Sequence, residues 1–289
     1  MASSLKLLSM TSLSISTLAA LEEMLQNTAR SAPVDFMPIH LSKGLEGEQV
    51  IGYLNPEFIP YLQESLQAES IPLISIKSDR LTIQLSRPKE LSASLSQLAD
   101  KMRSGGYVPG WRNEEFTWLD QNGHQCFRLE RAAFRTFGFQ SMATHINGYT
   151  KSGLLWLGRR SETKSTDPGK LDNIAAGGIS ADETPWVCAK RELWEEAGVP
   201  PQIADQVEPV GRIHMRRPIG GRGFHDEQLY IYDLELPEQF IPTNHDGEVS
   251  GFIHISLAEA AARILADEFT SDAAFVTADY ILRRNKSTF

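Results

Sequence analysis

Residues 177–199 read GGISADETPWVCAKRELWEEAGV and place a glycine turn ahead of a short helix that is rich in carboxylates. Pro185 suits the first turn of that helix, because its ring fixes φ near the helical value and its missing N–H needs no partner there. Gly198 tolerates the left-handed conformation of a C-terminal cap, and Pro200 cannot continue a helix. The pattern therefore predicts one helix between these two ends.

One face of this helix is apolar. Trp186, Ala189 and Leu193 fall at i, i+3 and i+7, which is the spacing of side chains that dock on a core. Cys188 lies beside this face, and we interpret it as a small buried hydrophobe rather than as a nucleophile. The two cysteines of the chain, Cys126 and Cys188, indicate no disulfide framework and are typical of a reducing compartment.

Another face of the helix is acidic. Glu192, Glu195 and Glu196 lie at i, i+3 and i+4, so their side chains project about one turn apart. Carboxylates this close repel one another unless a positive charge lies among them, and hard divalent cations such as Mg2+ prefer oxygen ligands. The alternative is a solvated acidic face, which is what most charge runs are.

The flanking residues favour a metal site over a solvated face. Gly177, Glu183 and the helix together match every fixed position of the Nudix box, G-x5-E-x7-R-E-U-x-E-E-x-G-U, in which U is aliphatic. The chain therefore resembles Nudix hydrolases. The resemblance implies an α/β (α+β) fold, with helices on both sides of a mixed sheet. It also implies Mg2+- or Mn2+-dependent cleavage of a diphosphate that is linked to another moiety.

The same resemblance implies roles for individual residues. It places metal ligands at the Gly177 carbonyl, Glu192, Glu195 and Glu196. Glu192 matches a glutamate that either binds metal or takes a proton from water, and the sequence leaves both roles open. Arg191 matches an arginine that holds this region in place by pairing with Glu183. Arg191, Glu192 and Glu195 are accordingly the catalytic candidates within the box.

A further catalytic candidate lies outside the box. Glu248 belongs to NHDGEVSGF, and many Nudix proteins carry a metal-binding or base glutamate in the corresponding loop. The alternative is an acid on a surface loop. Asp226 and Glu227 are weaker candidates for the same role. The histidines have no metal-ligand spacing and are interpreted as structural or surface residues: His214, His225 and His245.

Basic residues precede the box and are candidates for substrate binding. They are Arg159, Arg160, Lys164 and Lys170. Arginine binds phosphate oxygens in pairs and lysine acts as a point charge, so this group could face the phosphates of a substrate. The alternative is a solvated strand end.

Several segments resemble one Nudix subgroup, which is related to thiamine pyrophosphokinase in some fungi. They include HINGYT, LLWLGRRSETKSTDPGKLDNIAAGGI and NHDGEV, together with FMPIHLSKGLEGEQVIGYL near the N-terminus. This resemblance implies removal of phosphate from thiamine diphosphate, or from its oxo and oxy forms, to give the monophosphate. The alternative substrates are nucleoside diphosphate derivatives, namely ADP-ribose, a dinucleotide or an oxidised nucleotide. A non-catalytic sensor of a diphosphate ligand is disfavoured, because every fixed position of the box is intact.

Composition and charge exclude some partners. The chain carries a net charge of −9 at pH 7, whereas a broad nucleic-acid surface needs a basic footprint. No apolar run approaches the ~20 residues that span a bilayer. The first 21 residues contain one Lys and no Arg, whereas organellar transit segments are rich in basic residues. A cytoplasmic protein is therefore expected. The expected partner is a small-molecule diphosphate, and a homodimer is compatible with the sequence.

The length of 289 residues favours two domains. We predict an α+β domain over residues 1–137, with a frayed start over residues 1–15, and a Nudix domain over residues 138–289. Two long strands are expected on either side of PIGGRGFHD, which we interpret as a mobile hairpin tip because it lacks the ending of a phosphate loop. The order of strands, box helix, strands and two terminal helices indicates helices packed on a mixed sheet.

Overall fold

A computed structural model of the chain describes residues 13–29, 32–68, 70–164, 166–219 and 223–286. Two expectations lie outside these residues. The frayed start falls largely on residues 1–12, and the mobile hairpin tip is centred on residues 220–222. Within the described ranges, no helix has the length and apolar character that crossing a membrane requires.

The N-terminal region combines a small sheet, a separate hairpin and several helices. Its helices are α1 (Ile15–Gln26), α2 (Ile59–Ala68), α3 (Pro88–Ser104) and α4 (Arg131–Phe137), with 3-10 turns at Gly44–Glu46 and Pro56–Phe58. Its strands are β1 (Met37–Ser42), β2 (Glu48–Leu54), β3 (Ile74–Ile76), β4 (Leu81–Gln84), β5 (Glu115–Leu119) and β6 (Gln125–Glu130). The order in the small sheet is β2-β1-β4-β3, and β5 pairs with β6 alone.

Local sequence explains two of these elements. Helix α3 buries Leu91, Leu95, Leu98 and Met102, which recur at helical spacing and form one apolar stripe. The β5–β6 hairpin turns at Gly123, where φ is +81°, a value that favours glycine.

The C-terminal region is built on a mixed sheet. Its strands are β7 (Gln140–Tyr149), β8 (Leu154–Arg160), β9 (Leu171–Asp172), β10 (Ala175–Gly178), β11 (Glu208–Ile219), β12 (Gly223–Glu235) and β13 (Val249–Ser256). Its helices are α5 (Pro185–Ala197), α6 (Pro201–Ala204), α7 (Leu257–Leu265) and α8 (Ser271–Lys286). The main strand order is β11-β12-β7-β8-β13, in which β12 and β7 are parallel and the other neighbours antiparallel.

Helices α5 and α8 cover opposite faces of this sheet. On β7, Thr144 Oγ1 lies 3.5 Å from Cys188 Sγ of α5. Three residues further along β7, Asn147 accepts a hydrogen bond from Asn173, which also donates to Thr277 of α8. Because side chains alternate between the two faces of a strand, these contacts place the helices on either side. The predicted fold class, with helices on both sides of a mixed sheet, is confirmed.

Strands β7 and β8 diverge soon after their turn. They pair only at Gly148 with Trp156 and at Tyr149 with Leu155. Beyond that point β10 hydrogen-bonds to β7, and β9 hydrogen-bonds to β8. The segment that leads into the box therefore lies inside the sheet, next to the acidic helix.

The box forms helix α5 with the predicted ends. Thr184 caps its N-terminus by accepting a hydrogen bond from the Val187 amide, and Gly198 takes the left-handed conformation at its C-terminus. The prediction that Trp186 docks on the core is wrong. Its side chain is 43% exposed, and Lys190 Nζ lies over the ring at 4.1 Å. The core face of α5 instead consists of Cys188, Ala189, Leu193 and Ala197.

Contacts between the two regions include one at α1 and one at the β5–β6 hairpin. Leu21 of α1 is fully buried in the cluster formed by α7, α8 and the strands beneath them. The β5–β6 hairpin lies against the turn before α5, where the Ala181 amide donates to the Glu115 carbonyl at 2.8 Å. The boundary at residues 137 and 138 stays a prediction.

Candidate active site

Arg191 connects the carboxylates of the box. Its Nε donates to Glu183 Oε1 at 2.6 Å and its Nη2 to Glu183 Oε2 at 2.8 Å. Its Nη1 reaches Glu192 Oε1 at 2.7 Å and Glu195 Oε2 at 3.0 Å. The two-pronged bond to Glu183 is a strong arrangement for this pair, and it fixes the guanidinium within reach of the helix carboxylates.

Glu192 lies against the backbone of Gly177. A Cβ atom built on Gly177 would be 1.8 Å from Glu192 Oε1, so any other residue at this position would displace the Glu192 carboxylate. Burial raises the pKa of the Glu192 carboxyl to about 7. The positive charge of Arg191 lowers this pKa in part, whereas repulsion from Glu195 and Glu248 raises it further. A carboxyl group with this pKa can both hold and release a proton near neutral pH.

Glu196 belongs to a cluster of carboxylates from two elements. Among the described residues, oxygens of Glu196, Asp246 and Glu248 all lie within 4.8 Å of one another. The Ala176 amide donates to Glu196 Oε2 at 2.9 Å. Burial raises the pKa of Glu196 well above its usual range, and the charge of Glu192 adds to that effect. Such an all-oxygen set fits a hard divalent cation.

Asp246 was missed by the sequence reasoning. It lies two residues before Glu248, and Gly247 between them has φ of +83°. This turn allows the Glu248 amide to donate to Asp246 Oδ1 at 2.8 Å. The sequence does contain a signal for this pair of carboxylates, because Asp246 and Glu248 flank a glycine in NHDGEV.

Comparisons with known proteins agree with this geometry. The NUDIX domain family matches residues 143–277, and a domain of unknown function (DUF4743) matches residues 23–141. Residues 143–277 form a Nudix domain.

Its plant relatives share both regions. Nudix hydrolase 24, chloroplastic, of Arabidopsis thaliana is 34% identical over 243 residues, which cover 82% of this chain and 66% of the relative. Nudix hydrolase 20, chloroplastic, of the same plant is 34% identical over 247 residues with the same coverage. A crystal structure of a Deinococcus radiodurans protein aligns at 22% identity with a TM-score of 0.46, covering 59% of this chain and 98% of that chain. This Nudix chain spans 66% of the length of the two plant proteins.

The three glutamates of the Nudix helix have different surroundings. Glu192 and Glu196 are buried, whereas the Glu195 side chain is 41% exposed and pairs with Arg191. The metal set predicted from the resemblance was the Gly177 carbonyl with Glu192, Glu195 and Glu196. The structure brings Glu196 together with Asp246 and Glu248 instead of Glu195, and the predicted set stays a prediction.

The basic residues predicted to bind substrate are not one group in the folded Nudix chain. Lys164 Nζ donates a hydrogen bond to Glu248, and Arg160 Nη1 donates to Asp172 at 3.0 Å. Arg159 Nη1 donates to the Gly169 carbonyl at 2.7 Å. Lys170 Nζ donates to Asp267 at 3.2 Å. Of the four, Lys164 contacts the carboxylate cluster directly. Arg160 approaches it through Asp172, whose charge acts on Glu196. Lys170 is held at the surface on the side of Asp267.

The remaining acids and histidines form contacts between neighbouring strands and helices. His225 is buried, and its Nε2 lies 3.4 Å from Asp272 and 3.7 Å from Glu227. Asp226 pairs with His214 at 2.7 Å and with Arg216 at 2.9 Å. The other expected histidine, His245, packs edge-on against Trp194. The ligand atoms of His225, Glu227 and Asp272 also lie within 4.8 Å of one another, so the interpretation of the histidines as structural or surface residues stays a prediction.

Cation binding at the Nudix carboxylates is expected to depend on pH. The folded pKa values of Glu192 and Glu196 are raised above the usual 4.5, so the cation-free folded chain holds more protons than the unfolded chain between about pH 4.5 and pH 7. The contribution of Glu192 and Glu196 to the free energy of unfolding therefore falls as the pH rises from about 4.5 to about 7. A cation binds the deprotonated form, so Mn2+ should raise the melting temperature more at about pH 8 than at about pH 5.5.

The matched control is the double variant Glu192→Gln with Glu196→Gln, in which the gain from Mn2+ should be small at both pH values. The measurement is thermal unfolding with and without Mn2+ at constant ionic strength. An equal gain at both pH values in the wild type would contradict the assignment of the cation to these carboxyl groups.

Proposed function

We propose that this chain is a divalent-cation-dependent hydrolase of a small-molecule diphosphate. The observation that carries this proposal is the convergence of the buried Glu196 of the Nudix helix with the more exposed carboxylates of Asp246 and Glu248 in the loop before β13. Glu196, Asp246 and Glu248 would hold Mg2+ or Mn2+, with Glu192 and the Gly177 carbonyl at its edge. Bound there, the cation would neutralise charge on the phosphate oxygens.

The residues of the chain would perform the remaining steps. Arg191 Nη1 bridges the carboxylates of Glu192 and Glu195 and holds Glu192 in place against Gly177. Glu192, with its pKa of about 7, would accept a proton from the attacking water, because the best general base has a pKa near the working pH. The alternative is that Glu192 is a metal ligand, and the Mn2+ affinity of Glu192→Gln separates the two roles.

The proposed substrates are thiamine diphosphate and its oxo and oxy analogues, each cleaved to the monophosphate and phosphate. The support is the resemblance of HINGYT, of the segment before the Nudix box and of NHDGEV to the thiamine-related subgroup. A second support is the region that precedes the Nudix domain, since that subgroup also carries an additional N-terminal domain. The partner would be the small molecule alone.

The test is phosphate release in Mg2+ from a panel of diphosphates. It contains thiamine diphosphate, oxothiamine diphosphate, oxythiamine diphosphate, ADP-ribose and 8-oxo-dGTP, with a coupled phosphatase for products that release no phosphate. We expect the highest kcat/KM on a thiamine analogue and loss of that activity in Glu192→Gln. Turnover of nucleotides alone would retain the hydrolase and reject the thiamine substrates. Tight binding of one compound without turnover would reject the hydrolase.

A further inference from the structure

Two arginines of the N-terminal region lie beside the Nudix carboxylates. Arg112 Nη1 is 3.9 Å from Glu248 Oε1. Arg131 is the first residue of α4, and its Nη1 donates to Glu114 Oε2 at 2.8 Å. The Arg131 guanidinium also lies 5.3 Å from the ring centre of Phe116. Neither arginine belongs to the Nudix domain match, which begins at residue 143.

The β5–β6 hairpin holds these arginines in place. Besides the bond between the Ala181 amide and the Glu115 carbonyl, Thr117 Oγ1 donates to the Ala181 carbonyl at 3.3 Å. Arg128 pairs with Asp182 at 2.8 Å. A Cβ on Gly178 would be 2.5 Å from the Phe116 ring, so the ring packs directly on the backbone of the Nudix box. The hairpin and the box therefore act as one rigid support.

Charge couples both arginines to the carboxylate cluster. Burial alone would raise the pKa of Glu248, but Lys164, Arg112 and Arg131 outweigh it and lower that pKa. Burial likewise lowers the pKa of the Arg131 guanidinium, whereas Glu114, Glu227 and Glu192 more than reverse the effect. The positions of the two groups agree with this: Arg112 Nη1 is 3.9 Å from Glu248, and Arg131 lies over Phe116, whose ring packs on Gly178 of the box.

Both arginines keep donors available for an anion. The Arg112 side chain is 46% exposed, and its separation from Glu248 is longer than a hydrogen bond. The Arg131 side chain is 35% exposed, and among the described residues its only hydrogen-bond acceptor is Glu114. A planar guanidinium with free N–H groups matches the geometry of phosphate oxygens.

We propose that Arg112 and Arg131 form an anion subsite that binds a phosphate of the substrate's diphosphate beside the Nudix carboxylates. The N-terminal region thus completes the active site of the Nudix domain. This inference rests on the proposed function for its ligand. The competing role is purely supportive, in which the arginines only hold Glu248 in position for the cation.

The experiment measures binding in the absence of turnover, by titrating methylenediphosphonate into the full chain in Mg2+. The variants are Arg112→Gln and Arg131→Lys, and the second retains a positive charge next to Glu114. Each is expected to weaken diphosphonate binding about tenfold or more, since hydrogen bonds between charged groups are lost. Mn2+ affinity should stay within about twofold of the wild type. Arg87→Gln, which removes an exposed guanidinium that pairs with Glu90 at the start of α3, is the control and should bind normally.

The outcomes separate the subsite from the hydrolase. Unchanged diphosphonate binding in both arginine variants would overturn the subsite, as would absence of binding to the wild type. A parallel loss of Mn2+ and diphosphonate affinity would assign the arginines to the support of Glu248 and also overturn it. Arginine-dependent binding in a chain that hydrolyses no diphosphate would keep the subsite and reject the proposed function. If Arg131→Lys fails to fold, Arg112→Gln decides.

Discussion

Replacement of Glu192 by Gln is expected to lower kcat on the proposed diphosphate substrate roughly 10²- to 10⁴-fold, as the loss of a general base does. The substitution conserves size, so the side chain still fits against Gly177, where a Cβ atom would lie 1.8 Å from Glu192 Oε1. Gln keeps an oxygen that can accept from Arg191 Nη1. What it removes is the carboxyl group with a pKa of about 7.

Mn2+ affinity of the same variant distinguishes the two roles of Glu192. A large loss of kcat with unchanged Mn2+ affinity identifies a base, whereas a loss of both identifies a ligand. Glu235→Gln is the matched control, because Glu235 lies at the far end of β12 against Lys151 and should leave kcat unchanged. Wild-type kcat in Glu192→Gln would remove Glu192 from the mechanism and leave Glu248 as the remaining candidate.

The sequence predicted well whatever is determined by local spacing. The Nudix helix begins at Pro185 and ends at Gly198 because proline and glycine have few conformational choices at such ends. The i, i+3 and i+4 spacing of the glutamates likewise predicted their common face. The same local reasoning was wrong for Trp186. Periodicity shows that a helix has an apolar face, but it does not show how much of that face the rest of the protein covers.

Contacts between distant segments could not be predicted in this way. Asp246 joins Glu196 only because the loop before β13 returns to the Nudix helix, about fifty residues along the chain. Arg112 comes from the segment before β5, and no spacing rule relates it to Glu248. Lys170, six residues after Lys164 in the sequence, pairs with Asp267. Partners that are distant in sequence are therefore visible only in the folded chain.

Replacement of Arg191 by Met is expected to lower the free energy of unfolding by about 3 kcal/mol at neutral pH, the lower range for breaking a buried ion pair. The guanidinium accounts for most of the charge compensation of Glu183, Glu192 and Glu195, and the first two are largely buried. Met fills a similar volume but supplies no donor, so these carboxylates would repel one another on adjacent turns.

Lys190→Met is the matched control, since it makes the same change one residue earlier on the same helix. Lys190 pairs with the half-exposed Asp205 and lies over the exposed Trp186, so its loss should cost less than about 1 kcal/mol. Urea unfolding of the two variants and the wild type gives both differences. Equal stabilities of the two variants would show that the Arg191 contacts add no stability to the fold.

The destabilisation in Arg191→Met should also depend on pH in a defined direction. Hydrogen bonds from Arg191 are the largest cause of the low pKa of Glu183, about 2, against the usual 4.5. A lowered carboxyl pKa contributes stability that is complete above the unfolded value and is lost as the pH falls through the folded value. The difference in unfolding free energy between wild type and Arg191→Met should therefore shrink between about pH 5 and about pH 2. A difference that stays constant over this range would indicate that packing of the Arg191 side chain, rather than its charge, stabilises the box.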